Sequence, residues 1–144
     1  LYGRISNNCV HLACKGVIKM IIGVGCDIIE IERIKKAIQK DSFVRRVFAV
    51  CEIEYCSSRN KQAVASFAAR FAAKEAVLKA FGTGFRGGSL TDVILLNDKL
   101  GKPYIKLGGY YAELAQKLNV KNIHISISHS NENAMAYVVM EDEK

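Results

Sequence analysis

Arg70–Gly84, RFAAKEAVLKAFGTG, is the stretch on which the reading of this chain turns. Strong helix formers fill it, and glycines at 82 and 84 stand where a helix should stop. The pattern predicts one long helix over about 61–81. Ala69, Ala73, Ala76 and Ala80 line one side as a small-residue stripe fit for close packing. Phe67, Phe71, Leu78 and Phe81 make a second apolar flank. Between the flanks, Glu75 and Lys79 lie four apart on one face, in line with position 82. On one reading they are an ordinary helix pair worth about 0.2–0.5 kcal/mol. On the other they face a ligand.

Upstream, MIIGVG (20–25) reads as a short buried strand stopped by glycine. Asp27 follows it, either at the exposed end of a rigid element or as the cap of a helix beginning near Glu30. Over 30–40, Ile31, Ile34 and Ile38 recur at helical spacing, with Arg33, Lys35, Lys36 and Lys40 on the other faces. Asp41 and Ser42 are expected to cap a further short helix carrying Arg45 and Arg46, and another short helix is expected around 52–55. Downstream, GTGFRGG is a flexible loop, and DVILLN and YIKL form a hairpin around a DKLGKP turn. A helix over 109–119 follows. NIHISISHS then alternates sharply, with Ile123, Ile125 and Ile127 on one face and His124, Ser126 and Ser128 on the other. NEN turns the chain, and AMAYVVM pairs back. Helices first and an antiparallel sheet later make an α+β domain, a long helix packed on a small antiparallel sheet.

A chain of 144 residues, half apolar and about a quarter charged, suits a single globular domain. No apolar run approaches the roughly 20 residues that span a bilayer. The net charge of +7 points to an anionic partner without choosing among nucleic acid, lipid, phosphorylated metabolite and acidic protein. Five cysteines without metal-type spacing read as reduced thiols. Residues 1–19 hold Arg4, Lys15 and Lys19, no acid and no sustained periodicity. They read as a leader or upstream extension outside the fold, and 20–144 as the domain itself.

Two carboxylates from separate elements, Asp27 and Glu75, suit a Mg²⁺ ion that keeps waters and takes phosphate oxygens. Lys79 would then neutralise charge on the same phosphates. A dinucleotide-binding reading of GVGCD fails for want of the full glycine pattern and a βαβ unit, and GTG lacks the lysine of a P-loop. His129, flanked by Ser128 and Ser130, stands where a strand meets its turn, either merely solvated or able to bind an anion. His124 reads as structural, and Lys102 as a turn residue first. The basic region from Arg33 to Arg46 is either a solvated face or a docking surface for an acidic helix.

MIIGVGCDIIEIERI, FAARFAAKEAVLKAFGTG, SLTDVILLNDKLGKPYIKL and HISISHS together resemble the bacterial holo-acyl-carrier-protein synthases, the small single-domain branch of the 4′-phosphopantetheinyl transferases. The likeness runs from Met20 to about Met140. It implies that Asp27 and Glu75 hold Mg²⁺, and that Lys79 contacts phosphate. It further implies that Gly82, Thr83, Ser128 and His129 help bind coenzyme A, and that Arg33, Lys36, Arg45 and Arg46 dock an acidic acyl carrier protein. Larger relatives carry another acid where Ile29 stands here, a departure usual in the small branch. The implied reaction moves phosphopantetheine from coenzyme A to a carrier serine, releasing adenosine 3′,5′-bisphosphate, for fatty acid biosynthesis. The base is left open between Glu75 and a water. A homotrimer with sites between subunits is implied, and a cytoplasmic location, or an organelle if the leader is native. The rival from another class is a nucleic-acid or phosphate-binding module without catalysis. Against it stand the clustering of basic residues on one short region, the lack of tryptophan and the lack of a recognition motif.

Overall fold

The computed structural model describes residues 20–142, so the leader expected at 1–19 lies outside the described residues. In chain order the elements are β1 (Ile21–Glu30), α1 (Ile31–Ala37), α2 (Asp41–Val47), α3 (Val50–Ser58), α4 (Ala63–Phe81), β2 (Val93–Asn97), β3 (Pro103–Leu107), α5 (Gly109–Lys117), β4 (Asn122–His129) and β5 (Asn133–Glu141). Single 3₁₀ turns at Asn60–Gln62 and Leu90–Asp92 precede α4 and β2.

The expected α+β architecture is present, with one feature the local pattern did not carry. The first strand pairs with the last, so the main antiparallel sheet runs β1-β5-β4, while β2 and β3 form a separate hairpin. Placing β5 centrally explains its composition. Ala134, Ala136, Val138 and Met140 alternate along it and are all fully buried beneath α4.

The alanine stripe on α4 meets glycines on β1. A Cβ on Gly25 would stand 1.9 Å from the Ala76 carbonyl oxygen, and one on Gly23 2.0 Å from that of Ala80. Only glycine lets strand and helix approach this closely. α4 ends at Gly82, whose φ of 71° closes the helix in the left-handed region.

Several expected boundaries move. β1 continues past the glycines to Glu30, because CDIIE keeps pairing with β5 in register, Asp27 opposite Ala136. Asp27 is therefore a mid-strand residue and caps no helix. Asp41 and Ser42 are not caps either: Asp41 lies in the first turn of α2 and accepts from Arg45 Nε at 2.6 Å. α3 is longer than expected, because the Glu52 carboxylate accepts from the Ala49 N–H at 2.9 Å and fastens its first turn. α5 stops at Lys117, short of the expected Asn119, which takes a φ of 57°. Among the described residues Cys26, Cys51 and Cys56 are free thiols. Burial pushes Cys56 up to about 12, which keeps it protonated.

Candidate active site

Alternate residues of a strand share a face, so Gly23, Gly25, Asp27 and Ile29 all look toward α4. The glycine–alanine contact therefore carries the Asp27 carboxylate to the last turns of the helix. Lys79 reaches across to it: Nζ donates to Asp27 Oδ1 at 2.8 Å and to the Cys26 carbonyl oxygen at 3.0 Å. The ordinary Glu75–Lys79 helix pair is thus not the one that forms. Lys79 pairs from helix to strand, and among the described residues no hydrogen bond or ion pair reaches Glu75.

Glu75 is half-buried one turn before Lys79. Burial raises its carboxyl above the usual range, and the negative charge of Asp27 raises it further, while Lys79 and Arg33 pull the other way. Lys79 is raised in turn, chiefly by its hydrogen bond to Asp27. Two carboxylates that repel each other, one of them lacking a partner, are the donor set a cation would relieve. Among the described residues no cluster of three or more acidic, histidine or cysteine side chains exists, so the remaining positions around such a cation would belong to waters or ligand oxygens. That pattern fits Mg²⁺. The C-terminal end of α4 adds negative potential, which suits a cation rather than a bare anion.

Gly82 and Thr83 follow directly at the rim of the site, Gly82 exposed and Thr83 half-exposed. Arg33, exposed on α1, acts on Glu75 and so belongs to this neighbourhood. Lys36 is exposed on the same helix. The Arg45 guanidinium is engaged with Asp41, whereas Arg46 lines a cavity of about 500 Å³ with Phe43, Phe71, Phe85 and Leu90.

Ser128 and His129 lie elsewhere in the chain. His129 pairs with Ala134, which pairs with Ile29, so two inter-strand spacings, roughly 10 Å, separate it from β1. Within one chain it is not brought to Asp27 and Glu75. His129 borders a small cleft with Arg59, Arg70 and Asn97, and together with Ser128 it also lines a hollow with Ile28 and Met135. His124 Nε2 stands 2.9 Å from Glu141 Oε2 on the exposed side of the sheet.

Three residues escaped the sequence reading. Arg70 is buried, its guanidinium 4.1 Å from the centre of the Tyr55 ring and 3.0 Å from Asn97 Oδ1. Lys74 and Glu52 form a fully buried ion pair at 2.6 Å. Arg70 and Lys74 are four apart within an apolar run, the spacing of Glu75 and Lys79 but with like charges, which form no helix pair.

A family model described as the 4′-phosphopantetheinyl transferase superfamily matches residues 23–138. A protein named holo-[acyl-carrier-protein] synthase from Clostridium tetani is 50% identical over 125 residues, covering 86% of this chain and 98% of its own. A holo-(acyl-carrier-protein) synthase from Bacillus anthracis, solved in complex with CoA (3′,5′-ADP), superposes with a TM-score of 0.72 at 38% identity. That match spans 85% of this chain and 98% of the other. The Neisseria meningitidis holo-[acyl-carrier-protein] synthase superposes with a TM-score of 0.79 at 32% identity, over 85% of this chain and all of the other.

Proposed function

The chain belongs to the 4′-phosphopantetheinyl transferase superfamily, on the branch of the holo-[acyl-carrier-protein] synthases, and from that membership and its site we propose a specific reaction. The enzyme transfers 4′-phosphopantetheine from coenzyme A to a serine of an acidic apo-acyl carrier protein, in service of fatty acid biosynthesis. The serine oxygen forms a bond to the β-phosphorus. The bond from that phosphorus to the bridging oxygen breaks, and adenosine 3′,5′-bisphosphate leaves with the electron pair. One observation carries this reading: Asp27, Glu75 and Lys79 converge from β1 and α4, with Lys79 already on Asp27 at 2.8 Å and Glu75 unpaired.

Asp27 and Glu75 would hold Mg²⁺, which supplies charge neutralisation at the pyrophosphate. Lys79 is mobile enough, half-exposed on its long stem, to exchange Asp27 for a phosphate oxygen. Either Glu75 or a metal-bound water would take the serine proton. Arg33 and Lys36 offer positive charge beside the site to an acidic carrier, with Arg45 and Arg46 extending the patch along α2. Gly82 and Thr83 would border the coenzyme A phosphates. The domain runs over 20–144 and works in the cytoplasm. Among the described residues no helix is long and apolar enough to cross a membrane. The test is carrier mass after incubation with apo-carrier, coenzyme A and Mg²⁺. The expected gain is one phosphopantetheine, lost with EDTA. A folded protein that leaves several apo-carriers unchanged would sink the reading, and salt-sensitive binding to arbitrary nucleic acid would replace it.

The same reading includes a homotrimer with sites between subunits. It is supported by the sheet face turned away from α4, where Val24, Ile28, Met135 and Tyr137 are all exposed. Ser128 lies on that face, and His129 with Arg70 stands apart from the acid pair of its own chain, so a neighbouring chain would complete the coenzyme A site. Light scattering at micromolar concentration is expected to give three times the chain mass. A monomer that still transfers at full rate would refute it.

A further inference from the structure

The small cleft that His129 borders, about 120 Å³, is lined by two guanidiniums, Arg59 and Arg70, and by the ring of Tyr55. Among the described residues neither guanidinium pairs with a carboxylate. Arg59 donates to Gln62 Oε1 at 3.0 Å and Arg70 to Asn97 Oδ1 at 3.0 Å, both neutral acceptors. Arg70 is only 3% exposed, and its Nε has no hydrogen-bond partner. A guanidinium taken out of water with a neutral partner and a donor to spare is costly, and an anion in the cleft would relieve it.

Two like charges on one small cleft also repel, and the Tyr55 ring is what they share. The guanidinium carbon of Arg70 lies 4.1 Å from the ring centre and that of Arg59 5.7 Å, both within the reach of cation–π attraction. The ring thus offsets part of the charge that no carboxylate neutralises. Asn97 fixes Arg70 from another side. Its Nδ2 donates to the Gly101 carbonyl at 3.0 Å, which leaves Oδ1 to accept from Arg70.

We propose that Tyr55 is a positioning residue for coenzyme A binding: its ring holds the Arg70 guanidinium at the wall of this cleft, with Nε left to donate to a phosphate oxygen of the ligand. The inference rests on the transferase reading, in which Ser128, His129 and Arg70 belong to the coenzyme A site. Phosphate is the anion that reading supplies. A guanidinium already fixed when the ligand arrives loses less freedom on binding it, so the ring contributes to affinity without touching the phosphate.

The test is Tyr55→Leu beside Tyr55→Phe, with adenosine 3′,5′-bisphosphate as the probe. Leucine removes the π face, and calorimetric affinity for the bisphosphate is expected to fall roughly tenfold, the scale of a desolvated cation–π contact. KM for coenzyme A rises by a similar factor, while kcat and KM for the carrier hold. Phenylalanine keeps the face, and its affinity stays within about twofold of wild type. A leucine variant that also stays within about twofold would overturn the inference, since the ring would then be packing alone. Equal losses in the two variants would overturn it as well, because the hydroxyl and not the ring face would be what counts. A wild type that modifies no carrier sinks the transferase reading and this inference with it, a failure distinct from either pattern in the variants.

Discussion

Lys74→Met lowers the stability of the folded protein by about 3–5 kcal/mol, the cost of leaving one member of a buried ion pair without the other. The residue stands next to Glu75 in sequence, yet it points into the core. Its Nζ donates to Glu52 Oε2 at 2.6 Å, to the Leu90 carbonyl at 3.0 Å and to the Val93 carbonyl. Glu52 is fully buried too, and its other oxygen accepts from the Leu95 N–H at 3.0 Å. Burial pulls the Lys74 ammonium down, and the Glu52 carboxylate beside it holds it up. One pair thereby joins α3, α4 and the start of the β2–β3 hairpin, with every charge-bearing group hydrogen-bonded. Removing Lys74 strands a carboxylate in the interior. Such a pair adds little net stability over a well-packed apolar one, so the loss measures the stranded charge. Replacing Glu52 by Gln in the Lys74→Met background removes that charge, keeps an acceptor for one of the two backbone N–H groups, and recovers part of the loss. Urea unfolding measures both variants, and the single variant should lose roughly 10–20 °C in Tm. A loss below about 1 kcal/mol would show that the carboxylate is not held in the charged state.

The second large effect is on turnover. Glu75→Gln keeps shape and polarity and removes the charge, and phosphopantetheine transfer is expected to fall by roughly 10²–10³-fold, the scale of losing one preorganised electrostatic group. Stability moves little in this variant, because Glu75 makes no hydrogen bond among the described residues and loses a repulsive neighbour in Asp27. Carrier mass followed over time reads the rate, and a thermal melt separates lost chemistry from lost folding. A variant that keeps more than a tenth of wild-type turnover with an unchanged melt would remove Glu75 from the chemistry. The two neighbouring residues would thus divide their effects cleanly, Lys74 on folding and Glu75 on rate.

That division was not legible in the sequence. Residues 74 and 75 differ by about 100° around the helix, and α4 is apolar on most of its circumference, so periodicity cannot say which charged residue faces inward. Opposite charge at i, i+4 marks Glu75 and Lys79 as a pair, whereas Arg70 and Lys74, at the same spacing but of like charge, carry no such mark. The partners of all three basic residues are far away in sequence: Asn97 for Arg70, Glu52 for Lys74 and Asp27 for Lys79.

By itself the sequence determined the α+β class, the long helix with its alanine stripe and glycine stop, both hairpins, and the family to which Asp27, Glu75 and Lys79 belong. Each of these is local: helix propensity, two-residue alternation and turn chemistry act within a few residues, and motif spacing records residue types directly. Only the tertiary structure decided that the first strand pairs with the last, and that Asp27 is mid-strand and bound to Lys79. It also decided that Lys74 is structural, and that Ser128 and His129 lie two strands away from β1. These depend on contacts between distant segments, where burial and close packing select one partner among many of the same chemical type.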